Sequence, residues 1–331
     1  MDTGIGKAGA HHHSLLFLFT FFWGANFILA EIALNEMSPI SFSVSRFAVG
    51  GAVMLLLMYF QCYYDAKRAG EPFQFIPHIE KGDRIRLLLV SVFGATLAPW
   101  LGIEGLGLTT GSRASIWLAL GPAVSTLFGF WLATEKVGKY GYIGIVLAGI
   151  GTFTLAFDGV IATGNYLAGD ALLFIALVLT VIELHLIKPL AKKYGSISMV
   201  ALRTLIGGTL YILIASPSLV QESWLTFGFW TWFAILAGGA IGVGLGQWIK
   251  VRALRKLGPT RVVIYGNLVP VAAMVIAWFS IGENPSYYEI FAGLMIVMGA
   301  IFIQVVDVYN RGEKRSPEDD ELSTISSGKQ E

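Results

Sequence analysis

Apolar runs of about 20 residues recur along the chain, separated by short polar breaks. Ten of them are long enough to cross about 30 Å of hydrocarbon as α-helices. The breaks carry turn and helix-start residues, as at Ser38-Pro39, Gly195-Ser196 and Gly258-Pro259. The pattern predicts an all-α integral membrane protein of ten transmembrane helices. These predicted spans, numbered 1 to 10, cover residues 14–34, 39–61, 86–107, 112–133, 138–157, 167–188, 197–215, 229–251, 259–281 and 287–306.

The composition fits a chain whose solvent is the lipid bilayer. Of its 331 residues, 55% are apolar and 14% are charged, against a charged share of roughly a quarter in soluble domains. The net charge is +1, and no long polar segment mixes basic and aromatic residues. Nucleic acid is therefore not an expected partner.

Basic residues indicate the orientation of the spans. Of the 23 Lys and Arg residues, 20 lie in the two tails, in the loops after spans 2, 4, 6 and 8, or at the span ends next to those loops. The positive-inside rule then places both termini in the cytoplasm and the chain in the cell inner (cytoplasmic) membrane. Residues 1–13 and 307–331 are predicted to be cytoplasmic tails, the second one disordered.

The chain also contains an internal repeat. A shift of 157 positions aligns Arg46 with Arg203, and the longer loop from Cys62 to Ile85 reduces the shift to 148 further on. Because each half has five spans, the second half enters the membrane with opposite polarity, which predicts two inverted five-helix repeats, residues 14–157 and 165–306. The shift of 148 aligns Gly94 with Gly242, Trp100 with Trp248, Arg113 with Arg261, Trp117 with Tyr265, Pro122 with Pro270, Glu135 with Glu283 and Gly151 with Gly299.

Several motifs resemble those of one transporter family. They are the FWGANF sequence at residues 22–27, Pro39 followed by Arg46, and a Pro and a Glu thirteen residues apart in each half. In this order they resemble the EamA-type ten-helix exporters of the drug/metabolite transporter superfamily. The resemblance implies a central cavity between two rocking halves and the export of metabolites or amino acids. The second half departs from it, since Thr180 and Glu183 stand where the first half has Trp23 and Asn26.

Five charged residues fall within or at the ends of predicted spans, where a charge is costly without a partner or a wet cavity. Arg46 is predicted at a similar depth to Glu31 and Glu104, and Arg203 at a similar depth to Glu183. Such pairs either hold helices in register or act as gates that break alternately. Glu183 is the best candidate for a substrate-binding or proton-coupling carboxylate, since it replaces the polar Asn26.

Aromatic and amide side chains are further candidates for the cavity or its gates. Trp100 and Trp117 are predicted near the outer surface, with Trp248 and Tyr265 at mirrored inner positions. They form either an interfacial aromatic belt or gates with stacking and cation–π faces for a substrate. Gln247 and Asn267 could supply amide hydrogen bonds, and Trp23 and Asn26 are expected to line the cavity.

The predicted function is secondary active export of a small molecule, an amino acid or related amine, by alternating access. A broad-specificity drug efflux transporter is the alternative within transport, and an interaction or sensor protein is another. An integral-membrane enzyme is disfavoured, because we find no metal-ligand spacing, no nucleophile with a base and no phosphate-binding glycine motif. We therefore expect no cofactor and no metal. Proton coupling, direction, and a monomeric or homodimeric state are left open.

Overall fold

A computed structural model of the chain describes residues 4–70, 72–108, 139–157, 167–266, 268–281 and 290–299, with residues 121, 124, 125, 128, 287 and 302. The described part is built of helices, short turns and loops, and contains no β-strand. The predicted tail 307–331 and nearly all of span 4 lie outside it.

The helices follow the apolar runs. We number the described helices in chain order, so that α4 corresponds to predicted span 5, and α8 with α9 to span 9. They are α1 Gly4–Leu34, α2 Pro39–Ala69, α3 Lys81–Gly107, α4 Lys139–Phe157, α5 Leu167–Tyr194, α6 Ser196–Gln221, α7 Phe229–Leu257, α8 Pro259–Gly266, α9 Val269–Ile281 and α10 Ile290–Gly299.

Five of these helices, α2, α3, α5, α6 and α7, are long and apolar enough to cross a membrane. Shorter apolar segments occur in α1, α4 and α10. The described part is therefore an all-α, multi-pass membrane protein, as the hydrophobic pattern predicts.

Helix ends carry the expected signals, and some helices extend beyond the predicted spans. Pro39 opens α2 in the first turn, where its missing N–H costs nothing. The same helix continues past the predicted end at residue 61 to Ala69, since a helix need not stop where the hydrocarbon does. It ends at Gly70, whose φ of 67° places it in the left-handed region that suits glycine. Similarly, α3 begins at Lys81, five residues before the predicted start.

Contacts between loops define two ends of the bundle. At one end, which we call the clasp end (residues 35–38 and 222–228), Glu36 accepts hydrogen bonds from Gly228 and Thr231, and Glu222 accepts them from Ser38. The other end, where α2, α5 and α7 finish and α3 and α6 begin, we call the basic end. The five long helices run alternately between these ends. The basic end carries Lys67, Arg68, Lys81, Arg84, Arg86, Lys192, Lys193, Arg252, Arg255 and Lys256.

Two of the long helices contain π-helical stretches. Residues Phe93–Leu97 interrupt α3, and Gly238–Gly246 interrupt α7. In a π-helix each backbone hydrogen bond joins residues five positions apart, one more than in an α-helix. Such stretches occur frequently at functional sites. The sequence does not predict either stretch, although the glycines in α7 are predicted to allow close packing.

Candidate functional site

A buried ion pair joins two long helices near the middle of the described bundle. Arg203 of α6 donates a hydrogen bond from Nη1 to Oε1 of Glu183 on α5. The two side chains are only 2% and 1% exposed. Removing each ion from water costs several kcal/mol, which the partner and further hydrogen bonds must offset. The structure thus brings together the two charged residues that the sequence places at similar depth.

Gly94 makes the space that Glu183 occupies. It lies in the π-helical stretch of α3, and a Cβ at this position would lie 2.3 Å from Cγ and 2.7 Å from Cδ of Glu183. Both distances are far below van der Waals contact. Glycine at position 94 is therefore what allows α3 to pack against the ion pair.

We expect Gly94→Ala to displace Glu183 from Arg203 and so lower both transport and thermal stability. Overpacking of this kind costs about 1–3 kcal/mol. The matched control is Gly102→Ala on the same helix, where the nearest atom outside the local backbone is Cβ of Ala176 at 4.0 Å. A thermal unfolding midpoint for Gly94→Ala equal to that of the control would contradict this packing.

The π-helical stretch of α3 also holds α6. Thr96 donates from Oγ1 to the carbonyl oxygen of Gly207 at 2.7 Å, within the buried interface. A Cβ on Gly207 would lie 2.3 Å from the carbonyl oxygen of Ser91. Gly207 is one helical turn from Arg203, so this contact fixes the depth of the guanidinium relative to α3.

The corresponding contact occurs between α2 and α7. A Cβ on Gly50 of α2 would lie 2.8 Å from the carbonyl oxygen of Gly239, in the π-helical stretch of α7. The shift of 157 carries Gly50 onto Gly207, and the shift of 148 carries Phe93–Leu97 onto residues 241–245, inside the stretch of α7. Each half therefore contributes a glycine that packs on the π-helix of the other half.

Helix α7 adds a third charge that interacts with the ion pair, and a buried amide one helical turn before it. The half-buried ammonium of Lys250 interacts electrostatically with Glu183 and Arg203. Gln247 is 5% exposed, and its Oε1 has no hydrogen-bond partner among the described residues. The cluster offers one carboxylate, two cations and an amide. The sequence analysis counts Lys250, at the end of span 8, among the cations of the cytoplasmic side, and the structure shows that α7 continues beyond it to Leu257.

Of the two predicted partners of Arg46, only Glu104 has a side chain among the described residues. Arg46 is half-buried on α2, and its Cζ lies 4.3 Å from the ring centroid of Phe42. Glu104 is exposed on α3, and no salt bridge joins it to Arg46. The side chains of Glu31 and Asn26 lie outside the described residues, so the predicted pair of Arg46 with Glu31 stays a prediction.

The aromatic candidates occupy different surroundings. Trp23 contacts Phe19, with ring centroids 5.6 Å apart. Trp100 is half-buried against a cluster of apolar residues. Tyr265 is 2% exposed and buried in the main apolar core, whereas Trp248 is half-buried beside a pocket at the basic end. Trp117 and Asn267 lie outside the described residues.

Carboxylates at the clasp end cap the starts of two helices. Oε2 of Glu36 accepts hydrogen bonds of 2.8 Å from the Gly228 amide and 2.7 Å from the Thr231 hydroxyl, at the start of α7. Oε1 of Glu222 accepts the Ser38 amide at 2.9 Å and its hydroxyl at 2.5 Å, at the start of α2. The sequence analysis missed both residues. An acidic residue in each loop that faces a helix start is the signal that could have identified them.

These hydrogen bonds predict a pH-dependent clasp. The amide of Gly228 and the hydroxyl of Thr231 lower the pKa of Glu36. Burial acts to raise the pKa of Glu222, but hydrogen bonds from Ser38 outweigh it and the net pKa is lowered. A lowered folded-state pKa stabilises the fold above the unfolded pKa of about 4.3, and that contribution is lost as the pH falls through the folded value.

Accordingly, Glu222→Gln should lower the thermal unfolding midpoint at pH 7. The difference from the unsubstituted chain should shrink as the pH falls below about 4.3 and be smallest below the lowered folded-state pKa of Glu222, where its carboxyl is protonated in both states. Asp65→Asn, an exposed acidic position on α2, provides the control. A constant difference from pH 7 to pH 3 would rule out the carboxylate as the source of the effect.

Comparison with known proteins assigns the class and then the family. The apolar helices define the class, a polytopic membrane protein. The EamA-like transporter family matches residues 12–157 and again residues 167–305. The chain belongs to this family, within the drug/metabolite transporter superfamily, and is a membrane transporter.

Relatives from bacteria, archaea and plants agree with this assignment. The uncharacterized transporter YyaM of Bacillus subtilis is 23% identical over 292 residues, covering 87% of this chain and 91% of its own. An uncharacterized transporter of Methanothermobacter thermautotrophicus is 23% identical, covering 86% and 83%. The WAT1-related protein At4g16620 of Arabidopsis thaliana is 24% identical, covering 72% and 73%.

A solved crystal structure has the same fold. It superposes with a TM-score of 0.71 and 18% sequence identity, covering 89% of this chain and 99% of that one. At this identity the likeness concerns the fold alone.

Proposed function

We propose that the chain is a secondary active transporter that exports amino acids or related amines across the cytoplasmic membrane by alternating access. The observation that carries this proposal is the buried cluster of Glu183, Arg203 and Lys250.

The cluster is complementary to a zwitterion. An amino acid presents an ammonium, for which Glu183 is the matching carboxylate, and a carboxylate, for which Arg203 and Lys250 are the matching cations. Nε of Arg203 and Oε1 of Gln247 are buried without hydrogen-bond partners in the described part of the chain. They leave one donor and one acceptor free for a ligand. A bound zwitterion would replace the ion pair with two ligand contacts and keep every charge partnered.

Alternating access is supported by the repeated packing of the two halves. The family matches the chain twice, and each half places a glycine against the π-helix of the other. In an inverted repeat the two halves can exchange conformations, which exchanges the open side. The π-helical stretches are the places where α3 and α7 can change register against α6 and α2.

The two ends favour an inward-facing conformation with the basic end in the cytoplasm. The clasp loops 35–38 and 222–228 contain no Lys or Arg and are tied to helix starts by Glu36 and Glu222. The basic end carries ten of the Lys and Arg residues that the structure describes, and an accessible pocket. Positive charge on the cytoplasmic side is the rule for membrane helices.

Counterflow in proteoliposomes tests the proposal. Vesicles containing the purified chain would be loaded with unlabelled amino acids or amines, and uptake of a labelled trace would be followed with and without a proton gradient. We expect transient accumulation for at least one amino acid or amine. Absence of counterflow across the whole panel would overturn the substrate class, and hydrolytic or transferase turnover without flux would indicate an enzyme.

A further inference from the structure

A polar pocket opens at the basic end, between the end of α2, the start of α6 and the end of α7. Its volume is about 380 Å³, within the range of roughly 300–1,000 Å³ typical of small-molecule sites. The polar and aromatic residues that line it are Gln61, Ser196, Trp248, Arg252, Arg255 and Lys256.

Three cations in this pocket have no acidic partner among the residues that the structure describes. The salt bridges of this part of the chain do not include Arg252, Arg255 or Lys256. Lys193 at the same end is different, since its Nζ lies 2.5 Å from Glu80 and 2.8 Å from Asp83. Among the described residues, the three cations of the pocket therefore lack the neutralising carboxylates that Lys193 has.

The start of α6 adds hydrogen-bond donors to the same pocket. The amides of the first turn of any α-helix have no acceptor within the helix. Gly195, with φ of 87°, precedes α6 and has no side chain that could cap these amides. Gly195, Ser196 and Ile197 all line the pocket, which places this helix start on its wall. Backbone amides at a helix start favour an anion.

Neighbouring side chains contact both arginines of the pocket. The Arg255 guanidinium reaches the Ser196 hydroxyl at 3.5 Å, and Cζ of Arg252 lies 5.4 Å from the ring centroid of Trp248. The indole ring thereby positions one guanidinium and the hydroxyl the other. Two oriented guanidinium groups suit an oxyanion better than two mobile ammonium groups would.

We infer that this pocket, whose lining does not include Glu183, Arg203 or Lys250, is a binding site for a phosphate-bearing anion. Three cations and a helix start match the negative charge and the tetrahedral oxygens of a phosphate group, which offers hydrogen-bond acceptors in more directions than a planar carboxylate does. The phosphate can come from a lipid headgroup of the adjacent leaflet or from a soluble phosphate compound.

Thermal unfolding of the full chain in neutral detergent tests the site and distinguishes the two sources. One titration uses inorganic phosphate against chloride at equal ionic strength, and the other uses phosphatidylglycerol against phosphatidylcholine in mixed micelles. A shift with phosphatidylglycerol alone identifies a lipid headgroup, and a shift with inorganic phosphate identifies a soluble anion. No specific shift with either ligand would overturn the site.

Variants locate the effect. The double substitution Arg252→Gln with Arg255→Gln should weaken the apparent affinity for the phosphate ligand at least about tenfold. The loss of even one charge-assisted contact has roughly this effect. Lys256→Gln, at an exposed position, should weaken it in the same direction and does not threaten folding. Lys192→Gln, exposed at the same end but outside the pocket, should leave it unchanged. Equal affinity in all four proteins would overturn the proposal.

Discussion

Replacing Glu183 with Gln is expected to reduce counterflow at least about 100-fold while the chain still inserts into the membrane. The substitution leaves Arg203 buried without its carboxylate, since both side chains are almost fully enclosed. Removing one partner of a buried pair costs about 3–5 kcal/mol, and each 1.4 kcal/mol corresponds to a factor of ten. Initial rates of counterflow in proteoliposomes, normalised to inserted protein, measure the effect.

A second variant separates a transport role from a purely structural one. In Glu183→Gln with Arg203→Met no uncompensated charge of the pair remains, so stability should recover toward that of the unsubstituted chain. Transport should stay lost, because neither end of a zwitterion finds its partner. Recovery of transport together with stability would show that the pair only holds α5 and α6 in register.

Gly207→Ala should be among the most destabilising single-methyl additions in the described bundle. The new Cβ would lie 2.3 Å from the Ser91 carbonyl oxygen and 2.6 Å from Cβ of Ala95. Backbone atoms of a packed helix cannot rotate away as a side chain can, so α3 and α6 must separate. We expect a loss of about 2–3 kcal/mol in the free energy of unfolding, measured by thermal or denaturant unfolding in detergent.

The neighbouring glycine provides the matched control. Gly208 is adjacent on the same helix, and the nearest atom to its added Cβ is Cγ2 of Thr204 at 4.0 Å. Gly208→Ala should be neutral or stabilising by up to about 1 kcal/mol, because alanine favours a helix over glycine. Similar destabilisation by both substitutions would mean that helix propensity or lipid contact, and not the interface with α3, sets the effect.

The sequence predicted the features that follow from hydrophobicity and charge cost. Apolar runs long enough to cross a membrane predicted α2, α3, α5, α6 and α7, because the bilayer requires complete backbone hydrogen bonding. The intramembrane positions of Glu183 and Arg203 predicted that each needs a partner, and the structure joins them. Helix starts at Pro39 and Ser196 followed from local turn chemistry.

Other features depend on packing between distant segments, which periodicity does not encode. The π-helical stretches lie where α3 and α7 meet glycines of the opposite half. The role of Gly94, which is to make room for Glu183, depends on the packing of α3 against α5, so the sequence around Gly94 does not predict it. Lys250 lies at the end of a predicted span among other basic residues, and its interaction with Glu183 and Arg203 depends on how α7 packs against α5 and α6. The roles of Glu36 and Glu222 depend on loops 186 residues apart in the sequence meeting at one end.

Locking the clasp end shut tests alternating access most directly. In a Cys62→Ser background, which removes the one native cysteine, Ser38→Cys and Glu222→Cys place two thiols where the native side chains hydrogen-bond. Oxidation should abolish counterflow, and reduction should restore it, while each single-cysteine variant transports under both conditions. Full transport by completely cross-linked protein would contradict the account, since it would show that transport does not require the clasp end to open.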